Sequence, residues 1–395
     1  MRALLVLQDQ LESSLVQIHK KQRDAIWRSV AGLIIGGKLW LTALGRSLPG
    51  STSDKHRIKA VNRLLGKESI HRQLPLFYRA LAARLLKLTW QPVLVIDWTG
   101  LGPYHYALSA QLCSDGRTMP LYNRVFPKRR LSDPIAQREF LHDLAVILPS
   151  GCKPVILTDA GFRSPWFDAV ASCGWDFVGR VRHRTKVFLK QSCIAANQLY
   201  GMAGSQPRDL GTLTMRRVKP RRYRLVLSAR PILKGRKRMT RRGRAGRNTT
   251  DVKCSSGARQ PWLLATSLTC GAKAVVSLYK LRMQIEQSFR DAKNFRHGWA
   301  MHHVRSKSAK RLEVLLLIAA LAFVVLHAIG RAATRCGARR HFQANTLTRR
   351  RVLSFFVLAR HVLRSGTTLP LHYLAHAFDE VAETIRSNTV LLQRE

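Results

Sequence analysis

QPVLVIDWTGL, residues 91–101, is a run of apolar and β-branched residues that arrives at a carboxylate. A short apolar run bounded by turn formers predicts a strand buried on both faces. Asp97 would then stand at the carboxyl end of that strand. KPVILTDAGF, residues 153–162, repeats the pattern and delivers Asp159 in the same way. Between them YHYALSAQL (104–112) and RTMPLYNRVF (117–126) read as two further strands joined through the turn signal SDG. DPIAQREFLHDLAVIL (133–148) reads as a helix, with Asp133 as its cap and Pro134 at its first position. SPWFDAVASCG (164–174) is a short helix closed by Gly174, and WDFVGRVR (175–182) is one more strand. The predicted order over 86–182 is therefore strand, strand, strand, helix, strand, helix, strand: an α/β fold built on a mixed sheet.

Outward from this block the pattern changes. TLTMRRV (212–218), RYRLVLSA (222–229) and PWLLATSL (261–268) read as strands, so residues 183–273 form a β-rich insertion. Its Gly- and Arg-rich run LKGRKRMTRRGRAGRNTTD (233–251) is expected to be a mobile loop. Residues 274–330 return to helix and 331–395 continue mostly helical. VLLLIAALAFVVLHAIG (314–330) is uncharged over 17 residues, at the bottom of the membrane-spanning range. With no second span and with His327 interrupting its end, it reads as a buried core helix, and the protein as one that does not cross a membrane. Residues 1–85 also read as helical, with a turn at LPGSTSD. There Asp54 can cap KHRIKAVNRLLG (55–66), whose Ile58, Val61, Leu64 and Leu65 face inward and whose Lys55, Arg57, Lys59 and Arg63 face outward. A short basic helix of this kind suits a DNA backbone or groove, and a solvated surface face equally.

The chain has 68 Lys and Arg against 22 Asp and Glu, a net charge of +46 over 395 residues. Solubility does not need so much charge, which implies a polyanionic partner: nucleic acid first, anionic membrane second. The seven cysteines include no Cys-x-x-Cys pair, which argues against a zinc site or a disulfide framework and for a reducing cytosol. The apolar run at the N-terminus is too short for a signal peptide.

In so basic a chain, YKLRMQIEQSFRDAK (279–293) places a carboxylate, Glu286, among cations. Read as one helix, it sets Tyr279, Arg282, Glu286 and Lys293 within about 60° of one another. Leu278, Leu281, Ile285, Phe289 and Ala292 form an adjoining packing stripe. Alone this is an ordinary surface helix with an Arg282–Glu286 ion pair. Combined with two strand-end acids it becomes a constellation. Asp97, Asp159 and Glu286 converging on a sheet edge would make a hard-oxygen site for Mg2+, with Mn2+ as a substitute. Two such ions about 4 Å apart can activate a water and stabilise the leaving oxygen of a phosphodiester.

On these residues the sequence resembles the Asp-Asp-Glu cut-and-paste transposases, specifically insertion-sequence family four, whose members cut through a DNA hairpin. The family's Tyr-x2-Arg-x3-Glu-x6-Lys signature falls on Tyr279, Arg282, Glu286 and Lys293 without a change in spacing. VLVIDWTGL and PVILTDAGF resemble its two Asp blocks, KHRIKAVNRLLG its amino-terminal DNA-binding segment, and PWLLATSL the last strand of its insertion. The resemblance covers about residues 40–330. It implies a ribonuclease-H-like catalytic core carrying a β-rich insertion and flanked by helical regions, with dimerisation a candidate role for 331–395. It implies that Asp97, Asp159 and Glu286 hold two metal ions, with Asp97 bridging, and that Tyr279, Arg282 and Lys293 grip phosphates. Trp262 would stack on a base flipped out near the transposon end, although a core Trp on an apolar strand is the competing reading. The partners implied are double-stranded DNA, as terminal inverted repeats and as target, and a second copy of the chain, in the cytoplasm at the nucleoid. Two rival readings remain at this point: a catalytically silent DNA-binding derivative, and a structure-specific nuclease of the same fold.

Overall fold

A computed structural model describes residues 2–182, 185–189, 192–215, 220–229, 260–296, 298–344, 346 and 351–389. The run 233–251, expected as a loop, lies outside the described residues. The described residues divide into two units, one within 2–155 and 281–389, the other within 156–280. The changes of unit at 155/156 and 280/281 fall within the expected core segments 86–182 and 274–330.

The first unit opens with five helices: α1 (Arg2–Glu12), α2 (Lys20–Gly36), α3 (Leu41–Arg46), α4 (Asp54–Gly66) and α5 (Glu68–Leu85). Then come β1 (Val93–Leu101), β2 (His105–Cys113) and β3 (Thr118–Pro127), an antiparallel meander, and α6 (Pro134–Ile147). As the sequence predicts, Asp133 caps α6, its carboxylate accepting from the N–H groups of Ile135 and Ala136 at 2.9 and 3.3 Å. Asp97 does not end its strand. It is the central residue of β1 and pairs with Ser109 of β2. Trp98 to Leu101 stay extended because the antiparallel partner continues the ladder past the carboxylate.

Asp54 does not cap α4 either. Ser53 is the N-cap, without a side-chain cap bond, while Asp54 opens the first turn and pairs with Arg57. Arg57 is therefore not an outward cation, since its other terminal nitrogen donates to the Leu48 carbonyl at 2.9 Å. Lys55, Lys59 and Arg63 are exposed, and Val61, Leu64 and Leu65 are buried as expected.

The second unit holds residues 156–158 of β4 (Val155–Thr158), α7 (Ser164–Ser172) and β5 (Asp176–Val181). These lead into β6 (Lys186–Leu189), β7 (Ser192–Ala195), β8 (Arg208–Met215), β9 (Arg221–Ser228) and β10 (Trp262–Thr266). The hydrogen-bonded order is β4-β5-β10-β9-β8-β6-β7, with antiparallel pairing from β5 onward. Phe167 of α7 stacks on Phe177 at 4.9 Å, and a Cβ at Gly179 would come within 2.2 Å of the Phe167 ring. Only glycine lets this helix lie so close to β5.

The unit closes with α8 (Ala272–Leu281), and the chain re-enters the first unit with α9 (Met283–Lys293), α10 (Ala309–Arg335), α11 (Phe355–Arg364) and α12 (Leu371–Thr389). Helix α10 contains the apolar run 314–330 and is the centre of the first unit, packed by α2, α5, α11, α12 and β3. It is long and apolar enough to cross a membrane, yet 94% of its apolar window is buried inside the protein. His327 does not interrupt it; the helix runs on to Arg335 with that imidazole fully buried. Burial, and the neighbouring Arg331, hold His327 well below the usual histidine range and so neutral.

Candidate active site

The signature segment is not one helix. Hydrogen bonding breaks at Arg282, which keeps helical dihedrals between α8 and α9. Each half is anchored to its own unit. On α8, Val275, Leu278 and Tyr279 are buried. On α9 the anchor is largely polar, which the apolar-stripe reading misses. Gln284 accepts from the Ser114 N–H at 3.0 Å, Ser288 from the Thr118 N–H at 2.8 Å, and Asp291 from Arg117 Nε at 2.7 Å. These three residues, at i, i+4 and i+7, clamp the β2–β3 turn. That spacing is the signal by which the sequence could have revealed them.

Arg282, Glu286 and Lys293 fall about 180° around the helix from this polar anchor. Anchoring one side by hydrogen bonds thus fixes what the other side presents. Arg282 Nη2 donates to Glu286 Oε1 at 2.7 Å, and its Nη1 lies 3.8 Å from Asp97 Oδ2. One guanidinium, 12% exposed, therefore gathers the central acid of β1 and the acid of α9. Asp97 Oδ1 also accepts from the Trp98 N–H at 2.8 Å. Glu286 remains 45% exposed and so open to a ligand. Lys293 lies near Asp97 and 5.5 Å from the Phe289 ring centroid. Burial holds its ammonium below the usual lysine range, and the charge of Asp97 opposes that shift.

In the second unit Asp159 directly follows β4, as expected, and its Oδ1 accepts from the Gly161 N–H at 2.8 Å. Trp262, the first residue of β10, is 7% exposed, and Tyr279 is 2% exposed. Their rings meet edge to face at 5.0 Å. The expected base-stacking Trp is thus a packed ring in this conformation, and Tyr279 does not share an open stripe with Glu286.

The structure thus brings Asp97, Arg282, Glu286 and Lys293 together in the first unit, and Trp262 and Tyr279 together in the second. Among the described residues no group of three or more His, Cys, Asp or Glu side chains is gathered as a metal cage. The donor chemistry of Asp97 and Glu286 still suits a hard divalent cation, because both carboxylates already converge on one positive charge.

No curated relative matches the chain. The family model described as Transposase DDE domain matches residues 91–323, more than half of the sequence, from just before β1 to within α10. Both acids on the Arg282 guanidinium lie inside that span, as does Asp159, and the chain belongs to the Transposase DDE domain family.

Proposed function

We propose that this protein is a cut-and-paste DNA transposase of the hairpin-forming class. It binds the inverted repeats of a mobile element, cleaves them by metal-dependent phosphodiester hydrolysis and transesterification, and joins them to target DNA. The observation that carries the reading is the convergence of Asp97 and Glu286 on Arg282, inside a matched transposase domain. The antiparallel meander β1–β3, followed in the chain by β4, α7 and β5, supports a ribonuclease-H-like core.

Asp97, Asp159 and Glu286 would hold two Mg2+ ions, which when bound activate the attacking oxygen and stabilise the leaving one. Arg282 and Lys293 would then turn from the carboxylates to DNA phosphates, since a metal supplies the charge that Arg282 now provides. Tyr279 would contact a neighbouring phosphate, and Trp262 would stack on a flipped base once its pair with Tyr279 opens. Lys59 and Arg63, and Arg57 once released from Asp54, would bind the DNA backbone from the N-terminal region. The net charge of +46 supports the partner, and a nucleoid-associated cytoplasmic homodimer is the assembly proposed.

The test is a time course on end-labelled duplex carrying the element's terminal repeat, with and without Mg2+, resolved on a denaturing gel. Nicked, hairpin and resolved products that appear only with metal are expected. Tight binding with no cleavage at any metal concentration would leave the catalytically silent DNA-binding derivative instead.

A further inference from the structure

Beyond α9, among the described residues 294–296 and 298–300, the chain turns and carries Phe295 outward with 55% of its surface exposed. The loop is fixed in place. The Arg296 N–H donates to Asn294 Oδ1 at 2.8 Å, and Arg360 Nη1 donates to the Gly298 carbonyl at 2.8 Å. A Cβ at Gly298 would lie 1.7 Å from the Asp291 carbonyl oxygen, so only glycine permits this approach. Leu39 N–H also donates to the Trp299 carbonyl at 3.1 Å, tying the loop to the end of α2. A large apolar ring is therefore exposed beside backbone that is hydrogen-bonded on both sides of it.

Its surroundings are cationic and aromatic. Lys38 Nζ lies 4.0 Å from the Phe295 ring centroid, donates to the Phe295 carbonyl, and reaches Trp40 at 5.9 Å. His303 meets both rings edge to face, at 5.3 Å from Phe295 and 6.2 Å from Trp40. Arg360 and Arg364 are close enough to help depress the Lys38 ammonium, after burial as the main cause. Lys293 ends the helix two residues before Phe295.

We propose that Phe295, with Lys38, Trp40 and His303, is a stacking platform for an unpaired nucleobase, with Lys38 and Arg360 receiving its phosphates. An exposed aromatic face among cations is the chemistry that holds single-stranded nucleic acid, because every base has a π-face and every nucleotide a phosphate. An acidic protein would use the cations and leave the Phe295 face unexplained. The platform is separate from Trp262, whose ring is buried. It rests on the DNA-transposase reading and assigns that site a second contact, for the unpaired strand produced at a cut or bent end.

The experiment uses the full chain and fluorescence anisotropy on two probes: a blunt 30-base-pair duplex, and the same duplex with a five-thymine 3′ overhang. Wild type should prefer the overhang. Phe295→Ala and Phe295→Leu should each lose about 5- to 100-fold of that preference, with blunt-duplex affinity unchanged, and Phe295→Trp should retain it. A preference unaltered in Phe295→Ala, or retained by Leu as well as by Trp, overturns the platform. Thermal unfolding of each variant should match wild type, because the ring is exposed, and an overhang preference lost only together with the fold also overturns it. Metal-dependent cleavage by wild type is scored separately. If cleavage is absent while the overhang preference follows the aromatic ring, the catalytic reading falls and the platform stands.

Discussion

Helices α8 and α9 are separated by one residue, yet they place their polar and aromatic residues in opposite ways. On α8 Tyr279 is packed away against Trp262. On α9 the hydrogen bonds accepted by Gln284, Ser288 and Asp291 hold the helix down, and the opposite side presents Glu286 and Lys293 beside Arg282 at the helix start. Two neighbouring helices can thus serve two kinds of physics at once. One half depends on shape and burial, the other on charge and access.

The largest effect should come from removing the three carboxylates proposed to hold metal. Asp97→Asn, Asp159→Asn or Glu286→Gln should lower metal-dependent cleavage by more than about a hundredfold while leaving DNA binding near wild type. Robust Mg2+-dependent products from any one of them would remove that residue from the site. Next is Trp262→Ala, which on the α8 side should behave as a core deletion. A loss of about 3–5 kcal/mol in chemical denaturation is expected. If stability is unchanged and only hairpin formation slows relative to first-strand nicking, the ring spends its working time on a base, and the contrast between the two helices breaks.

Smaller effects sharpen the α9 half. Arg282→Ala and Lys293→Ala should each reduce the slope of log affinity against log salt by about 1, the signature of one lost phosphate contact. An unchanged slope in both would make them internal ion-pair residues only. The smallest differences concern α4. Lys59→Ala and Arg63→Ala should weaken DNA binding more than Arg57→Ala, by a few-fold, because Arg57 is engaged by Asp54 and the Leu48 carbonyl. Equal losses from all three would mean that DNA releases Arg57 at little cost.

Much of this was legible in the sequence. The strand and helix order over 91–182 follows from apolar runs and from the Asp133-Pro134 start, signals that act within a few residues. The burial of α10 follows from its composition. What was not legible depends on partners distant in sequence. Asp97 lies mid-strand because β2 continues the ladder beyond it. The break at Arg282 crosses residues that all tolerate helix, and it reflects which unit each half packs on. The polar anchor of α9 was hidden because Gln, Ser and Asp read as solvated until the β2–β3 turn supplies their donors. The cation–aromatic group around Phe295 joins residues 38 and 295, a pairing that no local pattern encodes.

Helix α10 has a consequence for how the chain is made. Its apolar window has a mean hydropathy of 2.7, so as it leaves the ribosome it presents the same face as a segment bound for a bilayer. Of the elements that cover it, α2, α5 and β3 have already been synthesised, whereas α11 and α12 follow it. One side of α10 can therefore be covered by elements made before it, while the other side waits for residues 355–389, which takes roughly 3–11 s at ordinary synthesis rates. A stop codon after Arg335 would remove α11 and α12 and leave the side of α10 that they cover exposed.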